Sequence, residues 1–359
     1  MTAHTAGATA RVESAAAPEQ DYADYAAHGG IVRGALEWVT AHQDRFALPA
    51  DVSDPRTDLN WSMKPLGELA RLSTSITRTA HTVAEHLHDE EWRRLARHAR
   101  GLLDFAWAEI AEGRVLLELA RAEPHATYPL EIYSAFASAG LRDEEFEEFT
   151  GALVRTRAWA FTEQQPNRRL GVLAAEHHAR LPSHDDPTEV LRRTWLGSLP
   201  EPWTFDVAAG YALTHTVFHL TDWGARPAGV PADLNRYLHH WLPCWLDTCL
   251  EDQQWDLTCE LLAVGASLPA PYPPDRYRPV WRELAARRAA DGSLHEVGPD
   301  TEGPDTEGRD DGPPDRFTHR YHSTLAVAFA AALTAAALTA AGVPAHGGRA
   351  TAFQAGAHR

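Results

Sequence analysis

The stretch YHSTLAVAFAAALTAAALTAA, residues 321–341, decides the fold class. No charge occurs from Ser323 to Ala345, and apolar residues recur at helical rather than alternating spacing. One stripe is Leu325, Phe329, Ala332, Leu333, Ala336 and Ala340, and the opposite face carries Val327, Ala331, Thr334 and Leu338. A helix with no polar face needs neighbours on both sides. A membrane would supply them, but alanine gains little from lipid, and neither flank has a basic cluster or aromatic belt. A helix buried by close helical neighbours is the better reading.

Outward from this segment the same periodicity dominates and strand signals are nearly absent. Asp89 stands as an N-cap before Trp92, Leu95, Ala99, Leu102, Leu103, Ala106 and Ile110 on one face, closed by Gly113. Similar segments run over 31–45, 61–79, 129–141, 144–162, 170–181, 187–199, 204–222, 233–250, 253–267 and 278–290. The expected fold is all-α. A dozen or so helices leave an α-solenoid, an α/α toroid or two bundles, and no fixed-period repeat supports a regular solenoid. The double-layered α/α toroid is the first choice, with an irregular helical array as the alternative.

Residues 21–345 read as a single all-helical domain. The exception is 297–316, VGPDTEGPDTEGRDDGPPDR, a tandem GPDTE insertion too poor in apolar residues to order itself. Residues 1–20 and 346–359 read as disordered tails. The first lacks the apolar core of a signal peptide, so a cytoplasmic location is expected.

The chain has 359 residues, 33 basic and 50 acidic, with a net charge of −17. That excess argues against nucleic acid or an anionic membrane as partner, since each needs a basic patch. Three cysteines without a C-x-x-C pair argue against a disulfide scaffold or a cysteine zinc knuckle. Lys64 is the only lysine, so Schiff-base chemistry would rest on one residue that is more simply a surface group. No P-loop or G-x-G-x-x-G is present, so no nucleotide cofactor is expected, and H-E-x-x-H and G-x-S-x-G are missing as well. DDPTE at 185–189 mimics half of a prenyl-diphosphate motif, but Asp186 before Pro187 reads as an ordinary N-cap.

Three segments carry candidate chemistry. In TFDVAAGYALTHTVFHLTDWG, 204–224, Thr204 is a possible N-cap and Gly224 sits where a left-handed glycine closes a helix. His215, His219 and Asp222 at i, i+4 and i+7 share one stripe able to hold a divalent metal with a ligand from another helix. Asp222 stands in the last turn, where the dipole disfavours an anion, so it wants a cation: a metal, Arg226 or a protonated His219. Plain structural pairing explains it equally well. His322 opens the last helix and is a plausible partner for the stripe. In QQWDLTCELLAVGAS, 253–267, Asp256 and Glu260 share a face as a ligand pair or a general acid and base, although a first-turn aspartate needs no function. Adjacent pairs such as His177–His178 diverge by about 100° on a helix and rarely chelate together. Trp203, Trp223, Trp241, Trp245 and Trp255 either line a pocket or pack helix junctions.

THTVFHLTDWG (214–224), WDLTCELL (255–262) and YHSTL (321–325) together resemble an uncharacterised actinobacterial all-helical family, a domain of unknown function. Its motifs are T-H-x-x-F-x-x-T-D-[FW]-G, W-D-L-x-x-E-L-L and Y-H-[ST]-T-L. The resemblance spans about residues 30–340 and implies tailoring chemistry in specialised metabolism. His219 departs from the aromatic residue associated with that position, which shifts weight to His215, Asp222, Asp256 and His322.

The expected function is therefore an enzyme with those four residues in a central pocket, acting by acid/base or metal-assisted chemistry on a small molecule or peptide. One divalent metal would be held by His215, His219, Asp222 and His322. A non-catalytic helical scaffold binding a peptide or metabolite is the alternative, and a terpene-type cationic cyclase the weaker one.

Overall fold

The computed structural model describes residues 18–52, 59–270, 274–299 and 316–341. The helices are α1 Pro18–Ala41, α2 Leu59–Leu87, α3 Glu90–Glu109, α4 Arg114–Ala122, α5 Tyr128–Ser138, α6 Glu144–Leu153, α7 Pro166–His178, α8 Pro187–Leu191, α9 Val207–Thr221, α10 Ala232–Glu251, α11 Trp255–Ala266, α12 Pro274–Arg287 and α13 Tyr321–Ala340. No strand occurs among the described residues, only an isolated bridge between Gln254 and Val297. The protein is all-α. Helix α1 starts inside the stretch read as a tail. The rest of that tail, most of the 297–316 insertion and the C-terminal tail lie outside the described residues.

Packing follows sequence character. Helix α13 is apolar all round and is wrapped by α1, α2 and α11. Its length and hydropathy would suit a membrane span, but 78% of the apolar window is buried within the protein. Helix α11 is buried along nearly its whole length, from Trp255 to Gly265. Taken pairwise, α2 packs on α5, α5 on α7, α7 on α9, α9 on α11, α11 on α13 and α13 on α2. These contacts form a closed circuit of six helices. Against it lie α1 on α13, α3 on α2, α4 on α5, α8 on α7 and α10 on α11. Trp281 of α12 meets His28 of α1 edge-on at 4.8 Å.

Helix α3 buries the face read from its spacing, Trp92, Leu95, Ala99, Leu102, Leu103 and Ala106. Asp89 caps it, accepting from the backbone N–H of Glu91 at 2.7 Å and of Trp92 at 3.3 Å. Asp89→Ala is expected to cost about 1 kcal/mol in urea unfolding. A change indistinguishable from zero would mean that water replaces the cap without loss.

Several boundaries differ from the sequence reading. The chain turns left-handed at Ala111, Glu112 and Gly113, where the sequence reading closed the helix, and restarts as the short α4, which that reading did not include. The 144–162 segment is α6 plus a 3-10 turn at Trp159–Phe161, and 187–199 is α8 plus a 3-10 turn at Leu196–Ser198. Asp186 does cap α8, its carboxylate accepting from Thr188 N–H at 2.8 Å. Helix α9 is capped by Asp206, which accepts from Ala209 N–H at 2.7 Å, while Thr204 sits in the preceding 3-10 turn.

Candidate functional site

The first turns of α11 and α13 are stitched together by the segment before the insertion. Asp256 N–H donates to the Glu296 carbonyl at 3.1 Å, and Glu296 N–H to the His319 carbonyl at 3.1 Å. Leu294 N–H donates to Thr324 Oγ1 at 3.0 Å, Ser323 Oγ donates to the Leu294 carbonyl, and Trp255 Nε1 donates to Gly298 O at 2.6 Å. Ser323 and Thr324 thus tie this segment down rather than cap their own helix. The result places Asp256, Glu260 and His322 side by side, with one ligand-type atom of each lying within 4.8 Å of the others.

Around His322 the geometry is specific. Its Nδ1 donates to Glu68 Oε2 at 2.8 Å, and its Nε2 lies 3.3 Å from Asp256 Oδ1 and 3.4 Å from Glu260 Oε1. Tyr211 donates its hydroxyl to Asp256 Oδ2 at 2.6 Å, and Thr214 Oγ1 donates to Glu260 Oε2. Asp256 Oδ1 has no hydrogen-bond partner although the residue is 3% exposed. His215 Nδ1 donates to the Tyr211 carbonyl at 2.9 Å and lies 3.8 Å from Glu260 Oε2, with its Nε2 making no hydrogen bond to a described residue.

Three carboxylates share one half-buried imidazole, and their proton affinities separate accordingly. Burial alone would lower the His322 value, but Asp256 and Glu68 hold it well above the usual 6.5. Burial pushes Asp256 up to about 6 against the attraction of His322, with the charge of Glu260 adding to the rise. Glu260 and Glu68 go the other way. Burial opposes ionisation at each, yet His215 and His322 lower Glu260, and His322 lowers Glu68. The hydroxyl of Tyr211 is pushed above its ordinary range by burial and by Asp256.

The remaining residues of the expected set go elsewhere. Helix α9 ends at Thr221, and Asp222, Trp223 and Gly224 all have positive φ, at 50°, 53° and 84°. The backbone therefore leaves the helical track before Asp222, and the i+7 projection fails. Asp222 Oδ1 accepts instead from His178 Nε2 of α7 at 2.9 Å. Burial opposes ionisation of Asp222, but the His178 hydrogen bond and charge, with Arg78 and Arg71, hold its carboxyl below the ordinary value. Its hydrogen-bonding partner is thus His178, not Arg226 or His219. Arg78 donates to the carbonyls of Asp222 and Trp223 at 3.0 and 3.1 Å, and Ser75 Oγ to the Trp223 carbonyl at 2.8 Å, clamping the left-handed run.

His219 does not chelate with His215, whose ring centroid is 6.4 Å away at an angle of 55°. Burial, aided by His215, Arg71 and Arg168, drives His219 down to about 3, so it stays a neutral imidazole. The metal set His215, His219, Asp222 and His322 is therefore not assembled. What the structure assembles is Asp256, Glu260 and His322, backed by Glu68 and flanked by His215.

Both groups face one cavity of 1070 Å³, lined by residues of α2, α5, α7, α9, α11 and α13. Glu68, Tyr211, His215, Glu260 and His322 line one part of it, and His178, Asp222 and Trp223 another. Of the five tryptophans singled out, only Trp223 lines the cavity. Trp245 and Trp255 are core residues, and Trp203 is 79% exposed. Sequence reasoning missed Glu68 and His178. Glu68 is a half-buried carboxylate among Leu66, Leu69 and Ala70, an interruption in an apolar run and the only signal available.

Fold and site define an all-helical protein with a buried carboxylate–imidazole centre opening on a large internal cavity. The chain belongs to the family described as a domain of unknown function (DUF6895), whose model matches residues 32–332. Comparison with curated proteins and with solved structures finds no match.

Proposed function

We propose that this chain is an enzyme whose six-helix circuit forms the inner layer of an α/α toroid and whose cavity binds a small organic molecule. Catalysis centres on Asp256, Glu260 and His322 holding one divalent transition-metal ion. The observation that carries the reading is the spacing of three donor atoms, two of which, on Glu260 and His322, lie at the wall of a cavity of substrate size, with Asp256 buried directly behind them. Donors sharing an ion at about 2.1 Å lie about 3.0 Å apart in an octahedron and about 3.4 Å apart in a tetrahedron. The separations of 3.3 and 3.4 Å from His322 Nε2 fall in that range.

Two further features support it. The Nδ1–Glu68 hydrogen bond turns the Nε2 lone pair toward the two carboxylates, the carboxylate–histidine–metal arrangement found behind many metal ligands. Three carboxylates against one imidazole also leave excess negative charge that a dication offsets. Such an ion supplies Lewis acidity and an acidified water. His215 Nε2, held toward acceptor character by the Nδ1 bond, is the proton acceptor beside it. The family resemblance supports a tailoring role in specialised metabolism.

Titration of dialysed protein with Co²⁺ tests this directly. One equivalent is expected to bind with proton release, because the ion displaces the proton on His322. Binding is expected to disappear in Glu260→Gln and His322→Ala. Absence of saturable binding at neutral pH would overturn the metal reading. It would favour a second one, a metal-free acid/base pair, for which the observation is the Asp256 carboxyl raised to about 6 beside an ionised Glu260.

A further inference from the structure

The cavity holds a second kind of polar group that the proposed chemistry does not use. Arg71 stands one helical turn beyond Glu68 on α2, about 4.5 Å further along the axis. Its Nη2 donates to the Glu131 carbonyl at 3.3 Å and to Ser134 Oγ. Its Nε and Nη1 make no hydrogen bond to a described residue, and no described carboxylate lies at ion-pair distance from the guanidinium. Asp222 and Glu131 act on it only through longer-range attraction, and burial lowers its affinity for its proton to about 10. The guanidinium sits 5.5 Å from the centre of the Trp223 ring, which is stacked on Phe218 at 4.9 Å and tilted against Phe329 at 5.8 Å. A forked cation with donors to spare thus lies beside an apolar aromatic wall, in the same cavity as the metal-type cluster.

Resting on the reading of this cavity as a substrate site, we propose that Arg71 is the anchor for the carboxylate of a small organic acid whose apolar body lies against Trp223, a ring backed by the buried Phe218 and Phe329. The unused Nε–H and Nη1–H match a carboxylate in the two-bond fork geometry. Asp222 and Glu131 oppose negative charge near the guanidinium while Arg78 and Arg168 favour it, so the planar two-bond fork, rather than net charge, selects a carboxylate over a phosphate. The neutral His219, lining the same region, adds polarity without adding a second cation. The anchor holds the acid so that atoms a few ångströms from its carboxylate reach the Glu260–His322 centre.

Calorimetric titration with 3-phenylpropionate, its amide and inorganic phosphate provides the test. The acid is expected to bind wild type at millimolar concentrations or tighter, and the amide about tenfold more weakly, as loss of a charge-assisted pair implies. Arg71→Gln is expected to weaken the acid by about tenfold or more, and Arg71→Lys by less, since it keeps the charge but not the fork. Equal binding of acid and amide, unchanged affinity in Arg71→Gln, stronger binding of phosphate, or no binding of the acid to wild type would each overturn the proposal. If Arg71→Gln does not fold, a Lys variant that binds as tightly as wild type overturns it instead. Cobalt titration of the same variants keeps the two readings apart. Loss of acid binding with retained Co²⁺ implicates the anchor alone, and acid binding without Co²⁺ binding leaves the anchor standing while the metal reading falls.

Discussion

His322→Ala is expected to destabilise the metal-free protein by about 3 kcal/mol or more at neutral pH, the cost of leaving a buried charge without its partner. The imidazole faces Glu68 from α2 and Asp256 and Glu260 from α11, with Tyr321 and His215 nearby. Removing it leaves three carboxylates with His215, 3.8 Å from Glu260, and Lys64, 3.9 Å from Glu68 and more than half exposed. The pH dependence has a definite sign. Because the folded value of His322 lies above its unfolded 6.5, its stabilisation is complete below pH 6.5 and is lost as pH rises through the raised folded value. In the variant, acidification protonates the carboxylates and relieves their repulsion, so the difference from wild type narrows toward acid as well as toward alkali. Urea unfolding at acidic, neutral and alkaline pH measures this. A penalty below about 1 kcal/mol at every pH would mean the imidazole is not a buried cation. Removing Asp256 as well, as Asp256→Asn with His322→Ala, is expected to recover part of the loss, since one of the crowded carboxylates goes with the cation.

Gly224→Ala is the second change with a large expected effect, on the order of 2–4 kcal/mol. Two independent causes add. With φ at +84°, an alanine there occupies the left-handed region, which a Cβ disfavours. The new Cβ would also lie 2.4 Å from Leu333 Cδ2 and 3.3 Å from Ser267 Oγ, inside a core where Leu333 is 4% exposed. Relief requires α9 to back away from α13, which disturbs the Trp223 carbonyl held by Ser75 and Arg78 and with it the Asp222–His178 pair. Thermal unfolding together with the His178 ring resonances in NMR reads both consequences. A loss under about 1 kcal/mol with unchanged His178 signals would show that the left-handed run is not maintained in solution.

Much of the fold was legible because the evidence for it is local. An uncharged, two-faced apolar segment at 325–341 has to be enclosed, and the W-D-L-x-x-E-L-L segment reads the same way, so their burial in α13 and α11 follows from composition and period. Gly224 as a left-handed residue and Asp89 and Asp186 as caps follow from backbone sterics and unpaired N–H groups. The pairing of Asp256 with Glu260 is a property of i, i+4 spacing and survives intact. Asp222 was misplaced because helical extrapolation assumes a continuous helix, and two non-glycine left-handed residues broke it where no sequence rule expects them. His178 looked unproductive as one of an adjacent pair, since its true partner lies 44 residues away.

The chain's own order of residues determined that it is helical throughout, which helices have no face for solvent, and where an acid pair and a histidine stand at the starts of two buried helices. Propensity, period and capping act over a few residues, and a reader needs nothing else to see them. The tertiary structure alone decided that Glu68, 254 positions from His322, completes that centre, and that Asp222 turns to His178 instead. Those partnerships depend on which helices close the circuit and on a backbone reversal at residue 222. Both are set by packing among distant segments, an energy that no local stretch of the chain contains.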